Sequence, residues 1–190
     1  LPKAVEQLPR PLMLHVSDTP SHVYPYLIRL IRKLEPEVVV HTGDVADELK
    51  LGENKSHIEE YRRKVSRFVS EVEKTAVKDI YYVIGNHDDY DTVAGASIRS
   101  SVVEGSALFE IHGLRCYLTH YCTDPHTVGE KTEPDLILFG HNPDVATRRP
   151  FLNGLFHIHV ISLGSKEVIF LPYPAGTDSA RKMLPPKIGL

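Results

Sequence analysis

The chain is short of cysteine, of surplus charge and of long apolar runs, and each shortage excludes a class of protein. Cysteine occurs twice, at Cys116 and Cys122, too few for a disulfide framework. Lys and Arg number 22 against 25 Asp and Glu, a formal net charge of −3. Bulk electrostatics therefore do not make this a nucleic-acid binder, and only a local basic patch is left open. No apolar run approaches the roughly 20 residues of a membrane helix, so no membrane partner is expected. No basic-then-apolar leader opens the sequence, and the expectation is a soluble, cytoplasmic protein. What remains looks globular: 190 residues, 42% hydrophobic and 25% charged. At that length one domain over residues 1–190 is expected, burying roughly 70% of the open chain's surface.

The hydrophobic pattern alternates short runs with longer stripes. Leu12-Met13-Leu14-His15-Val16 reads as a buried strand ending in Ser17-Asp18. Val23, Tyr26, Leu27, Leu30, Ile31 and Leu34 then follow helical spacing, with Ser21 placed to cap the start and Pro36 to stop the helix. Val38-Val39-Val40-His41 is a second strand, ending in Thr42-Gly43-Asp44. A longer helix carries Ile58, Tyr61, Val65, Phe68, Val69, Val72 and Ala76 on one face. Residues 80–84 form a third strand, ending in Gly85-Asn86-His87-Asp88. Strand, helix, strand, helix, strand predicts parallel pairing with right-handed crossovers. The second half reads differently. Segments near 101–104, 107–112 and 114–119 are separated by Gly105 and Gly113, which predicts hairpins. Leu136–Phe139 is a further buried run before Gly140-His141, and 155–162 with 166–171 predicts a final hairpin. The proline-rich stretch 172–190 reads as an irregular surface tail.

One pattern recurs at five strand ends: an apolar run stops, and a side chain able to bind metal follows. These are Asp18, Asp44, Asn86 with His87, His120 and His141. Ligands in open α/β sheets sit beyond the carboxyl ends of the strands, so five ends can deliver such groups to one place. Mixed oxygen and nitrogen donors suit Mn, Fe or Zn better than Ca²⁺ or Mg²⁺. Glycines 43, 85 and 140 sit beside three of the ends and are read as sharp turns. Taken singly, each residue has a plainer reading: an Asp after a strand is more often a helix cap, and Gly85-Asn86-His87-Asp88 is a turn sequence. The joint order favours a metal site. His15 and His41 each precede one of these aspartates by three residues, which predicts a hydrogen-bonded core pair if their strands run in register. Cys122 reads as a small apolar residue.

These motifs resemble the calcineurin-like metallophosphoesterases, especially the small single-domain phosphodiesterase branch, from about residue 12 to residue 165. Asp18 matches the aspartate of D-x-H, Gly43-Asp44-Val45-Ala46-Asp47 matches G-D-x-x-D, and Gly85-Asn86-His87-Asp88 matches G-N-H-D unchanged. Thr119-His120 matches a lone later histidine, Gly140-His141 the first half of G-H-x-H, and Gly164-Ser165 the closing turn. The resemblance implies an α/β fold of two mixed sheets packed as a sandwich and flanked by helices. It implies that Asp44 bridges two divalent metals, that Asn86, His120 and His141 complete the second site, and that Asp18 belongs to the first. His87 would not bind metal but would assist the leaving group, oriented by Asp88. The implied chemistry is hydrolysis of a small-molecule phosphodiester by a hydroxide generated at the metal.

Two positions depart from the pattern. Proline stands at 20 and 143 where the family has histidines, both serving the first metal. Proline offers no donor, so one tightly held ion is expected and a second weakly or not at all. His22, His159 and Asp144 lie near in sequence and are candidates to fill in. The competing reading is a binding scaffold on the same fold with weakened catalysis. His87 favours the enzyme; Pro20 and Pro143 favour the scaffold. A nuclease is the third reading, disfavoured by the absence of a basic excess.

Overall fold

The computed structural model describes residues 1–122 and 133–183. Among them, ten strands form two mixed sheets. The first has the order β10-β9-β1-β2-β3-β4 and the second β5-β6-β7-β8. Their ranges are β1 Leu12–Val16, β2 Val38–His41, β3 Asp79–Val83, β4 Ser101–Val103, β5 Ser106–Ile111, β6 Leu114–Thr119, β7 Leu136–Phe139, β8 Phe151–Asn153, β9 His157–Ser162 and β10 Val168–Pro172. Helices α1 (Lys3–Glu6), α2 (Tyr24–Leu34), α3 (Ile58–Glu73) and α4 (Tyr90–Ala96) accompany them.

Side-chain alternation along β1 explains the layering. Leu12, Leu14 and Val16 join Leu27, Leu30, Ile31 and Leu34 of α2 and Val65, Phe68, Val69 and Val72 of α3 in one core. Met13 faces the other way, into a second core with Val38, Val40, Leu118, Leu136 and Leu138 between the sheets. Each fully buried aliphatic side chain contributes roughly 1.5–3 kcal/mol, so the helix-facing side of β1, with three of them, is held more strongly by apolar packing than the side that carries Met13 and His15. A strand buried on both faces reads as a near-continuous apolar run, interrupted in β1 by the hydrogen-bonded His15.

Strands β1, β2, β3 and β4 are parallel; beyond β1, β9 runs antiparallel to it and β10 antiparallel to β9. The βαβ crossovers therefore follow the sequence pattern. The structure departs from it in four places. Gly105 does not turn a hairpin: β4 pairs with β3 in the first sheet and β5 pairs with β6 in the second, so Gly105 is where the chain changes sheet. Ser21 does not cap α2; a 3₁₀ turn, Ser21–Val23, precedes the helix, and Ser21 binds Glu48 instead. Helix α3 stops at Glu73, short of Ala76. The stretch after Pro172 carries a helical turn, Thr177–Ala180, and its Arg181 is only 2% exposed. That stretch is thus built into the fold as far as residue 183; residues 184–190 lie outside the described ones.

The histidine pair is also different. β1 and β2 are staggered by one residue, with Val16 opposite His41 and His15 opposite Val40. A one-residue offset turns the two rings to opposite faces of the sheet. His15 instead lies directly across from His159 of β9, Nδ1 to Nδ1 at 2.9 Å, and its Nε2 meets the Thr42 hydroxyl at 2.9 Å. His41 Nε2 meets the Thr19 hydroxyl at 2.8 Å. Among the described residues no helix is long and apolar enough to cross a membrane.

Candidate metal centre

Parallel strands that share a direction share an end, and the loops after β1, β2, β3, β6 and β7 all leave from it. The first two are tied together by their backbones: Asp18 N–H donates to Gly43 carbonyl oxygen at 2.9 Å and Thr19 N–H to that of Asp44 at 3.0 Å. Asp18, Asp44 and His141 all lie in the left-handed region, at φ +50°, +55° and +57°. For non-glycine residues this conformation is uncommon and costs of order 1–3 kcal/mol where the surroundings impose it. Three expected ligands, each sitting just past a strand end, share it.

The glycines flanking them act through space more than through torsion. Gly43 has φ +101°, and a Cβ there would also sit 2.9 Å from Gly85 Cα. Gly85 and Gly140 are absent from the positive-φ residues, so they do not supply sharp turns. A Cβ on Gly85 would strike Asp44 Oδ1, and one on Gly140 would strike Asp18 Oδ2. The missing side chains make room for the two carboxylates.

His120 organises the centre. Its Nδ1 donates to the Thr42 carbonyl at 2.7 Å, which directs Nε2 toward Asn86 Oδ1 at 3.1 Å and Asp44 Oδ2 at 3.4 Å. Donor atoms of Asp44, His120 and His141 lie within 4.8 Å of one another. Donors bound about 2.1 Å from one ion are at most about 4.2 Å apart, so this group needs little movement to close on one. A backbone carbonyl on the far imidazole nitrogen is the usual way to fix a ligating histidine's tautomer. The donor set fits a divalent ion held by Asp44, Asn86, His120 and His141.

The charges fit as well. Burial opposes a charge on His120, but the hydrogen bond and the charge of Asp44 outweigh it and lift the ring to about 9. Burial likewise opposes charge on Asp44, yet His120 and the His87 N–H, 2.9 Å from Oδ1, hold it down to about 2. Asp18, 3% exposed, is shifted upward by burial and then by Asp44. Its Oδ2 accepts from the His141 N–H at 3.1 Å. A buried carboxylate pushed upward by its neighbour's charge marks a place where positive charge is stabilised.

The sequence profile of the calcineurin-like phosphoesterases matches residues 12–145. The chain belongs to that family. An archaeal phosphodiesterase, 16% identical, superposes with a TM-score of 0.61 over 85% of this chain and 99% of its own. Yfce, a phosphoesterase from E. coli, is 14% identical, with a TM-score of 0.49 over 86% of this chain and 100% of its own. At such identities the likeness is one of fold, and it rests on the first of the two. No curated protein matches significantly.

Within this phosphoesterase fold, Asp88 does something other than orient His87. Its carboxylate accepts from Asp44 N–H and Val45 N–H, each at 2.7 Å, from Gly85 N–H at 2.8 Å and from the Tyr61 hydroxyl at 2.7 Å. Four donors leave no lone pair for the imidazole. Asp88 is a clasp between the loops after β2 and β3, and burial together with Asp44 raises it to about 6 despite those donors. His87 is 7% exposed and its Nδ1 has no hydrogen-bond partner among the described residues.

Neither proline position recovers a donor. Pro20 is buried and Pro143 exposed. His22 and Asp144 are exposed, and His159 is held against His15 between the sheets. None of the three belongs to a group of metal-capable donors among the described residues. A second group does exist: Asp44, Asp47 and His87, again with donor atoms within 4.8 Å of one another. Asp47 is 2% exposed and was visible only as the last letter of G-D-x-x-D. Arg181 carried no sequence signal. Its guanidinium lies 4.3 Å from the Tyr173 ring centroid and donates to the carbonyls of Asp18 at 2.6 Å, Leu155 at 2.6 Å and Ser17 at 3.2 Å, bracing the loop that presents Asp18.

Proposed function

We propose that the chain is a phosphodiesterase that works with one tightly held divalent transition metal, manganese in the first instance. The observation that carries this reading is His120: its Nδ1 is committed to Thr42, and its Nε2 shares one point with Asp44 and Asn86 beside His141. A divalent ion bound there would neutralise phosphate oxygens and lower the pKa of a water it binds.

The chain's residues do the rest. In diester hydrolysis a bond forms between phosphorus and water's oxygen, and the bond from phosphorus to the leaving alcohol's oxygen breaks. That oxygen needs a proton, and in this reading His87 gives it. Its backbone N–H is fixed on Asp44 Oδ1, so the ring is held beside that carboxylate. Burial lowers the ring's pKa and Asp44 counters it. An anionic phosphodiester adds to the counter-effect and favours the protonated donor when substrate is bound. Asp18 accepts from the His141 N–H at the same strand ends.

The test is hydrolysis of an activated diester, bis(p-nitrophenyl) phosphate. Activity should require added Mn²⁺ or a similar ion and disappear with chelator. Undiminished turnover by metal-stripped protein would overturn the reading, and binding of Mn²⁺ with no turnover at all would favour the scaffold.

A further inference from the structure

Pro20 and Pro143 leave the first metal position implied by the family pattern short of two imidazoles, and Asp47 packs against the loop that ends in Pro20. Asp47 opens a 3₁₀ turn, Asp47–Leu49, and its N–H donates to the Thr19 carbonyl at 3.3 Å, setting it against the loop that ends in Pro20. Its carboxylate shares a 4.8 Å neighbourhood with those of Asp44 and the His87 ring. Lys50 closes the turn. Its N–H returns to the Asp47 carbonyl at 3.2 Å, and its backbone takes φ +44°. That left-handed residue sends the side chain back, and Nζ lands 2.7 Å from Asp47 Oδ1 with the chain only 19% exposed.

From this arrangement, and resting on the one-metal reading above, we infer that the Lys50 ammonium takes over the phosphate-neutralising role of the first metal ion. Charge counting supports it. Asp18, Asp44 and Asp47 are three buried carboxylates. One divalent ion and one ammonium match them. Asp88 is met by its own four donors, and Arg181 by Asp178 at 3.1 Å. A second divalent ion held beside Asp47 would have to displace Lys50 or share its surroundings, and like charges a few ångströms apart in a buried site repel strongly. The donor count supports it too. An ammonium has three N–H donors, and Asp47 is the only side chain among the described residues that Lys50 bonds. Two donors remain for phosphate oxygens. Asp47 acts here as the positioning residue and Lys50 as the group that touches substrate.

The experiment uses full-length protein stripped of metal and titrated with Mn²⁺, then with inorganic phosphate as the probe. The wild type should take up one Mn²⁺ per chain. Lys50→Met should leave Mn²⁺ affinity within about threefold and weaken phosphate binding about 10- to 100-fold, the worth of one charge-assisted hydrogen bond. Lys50→Arg should restore most of the loss. Lys50→Met leaves Asp47 buried without its partner, so the double variant Asp47→Asn/Lys50→Met controls for misfolding and should show the same phosphate loss at unchanged Mn²⁺ affinity. Two Mn²⁺ ions of similar affinity in the wild type, or wild-type phosphate affinity in both variants, would overturn the inference. No Mn²⁺ uptake by the wild type is a different result: it overturns the one-metal reading and this inference with it.

Discussion

His120 at a strand end and His41 and His159 inside the strands are the same residue in opposite environments. His120 faces two carboxylates and an amide oxygen, and its affinity for a proton rises to about 9. His41 and His159 are buried at least as deeply, face hydroxyl or imidazole groups, and fall to about 3. Burial pulls every one of these rings the same way. The partner decides which sign survives. An imidazole that holds a proton against burial stands where positive charge is stabilised, and such a place also stabilises a metal ion. An imidazole without a carboxylate is a neutral hydrogen-bonding bridge, and here it joins β1 to β9 and the loop after β2.

The sharpest way to break this contrast is at His87, which belongs to the strand-end group but has an unused ring nitrogen. His87→Ala should lower turnover about 10²–10⁴-fold while leaving Mn²⁺ affinity nearly unchanged. The loss should shrink for diesters with good leaving groups, which need less protonation. Steady-state rates across a leaving-group series, with Mn²⁺ titrations on the same samples, check it. If the substitution strips the metal, His87 belongs among the ligands through Asp44 and Asp47.

A smaller effect is expected at Asn86. Its Oδ1 stands 3.1 Å from His120 Nε2, and Asn86→Ala removes one donor from the set. Mn²⁺ affinity should fall by about 100-fold, at the upper end of what the loss of an outer partner costs. Equilibrium metal titration decides it, and unchanged affinity would remove Asn86 from the proposed ligands.

How far the sequence reveals these roles depends on how local each cause is. The runs 12–16 and 38–41 are buried on both faces, so composition alone marks them as strands. The five strand ends follow from the same runs. Asp88 was misjudged because its partners, Tyr61 and the N–H groups of Asp44 and Val45, are 27 to 44 positions away in sequence. The His15–His41 expectation failed on a one-residue stagger that no strand carries in its own letters. Gly105 reads equally as a hairpin turn or a change of sheet, because both need only a break between two short strands. Arg181 reads as surface because its acceptors are backbone carbonyls distant in sequence, two of them, at Ser17 and Asp18, more than 160 residues upstream.

The smallest effect tests the contrast itself, through the pH dependence of stability in metal-stripped protein. His159 has its folded pKa depressed to about 3 from 6.5, so between these values the unfolded chain binds a proton that the folded one does not. Its contribution is complete above pH 6.5 and is lost as the pH falls, at about 1.4 kcal/mol per pH unit. His120 runs the other way. Its folded pKa is raised to about 9, so its contribution is complete below pH 6.5 and is lost as the pH climbs toward 9. Asp47 and Asp88, raised to about 7 and 6, add a background of their own. That background cancels to first order when each variant is compared with the wild type. His159→Gln keeps a group able to bond His15 and should flatten the acid limb between pH 6 and 4 by about 1.4 kcal/mol per unit, leaving the alkaline limb alone. His120→Gln should flatten the limb between pH 7 and 9; it also frees Asp44 from the group that holds it down, so the acid limb of this variant shifts as well and only its alkaline limb is compared. Urea unfolding at a series of pH values measures both. Parallel curves for the two variants would mean that neighbours do not separate the two kinds of histidine, and the electrostatic case for a cation at His120 would fall with them.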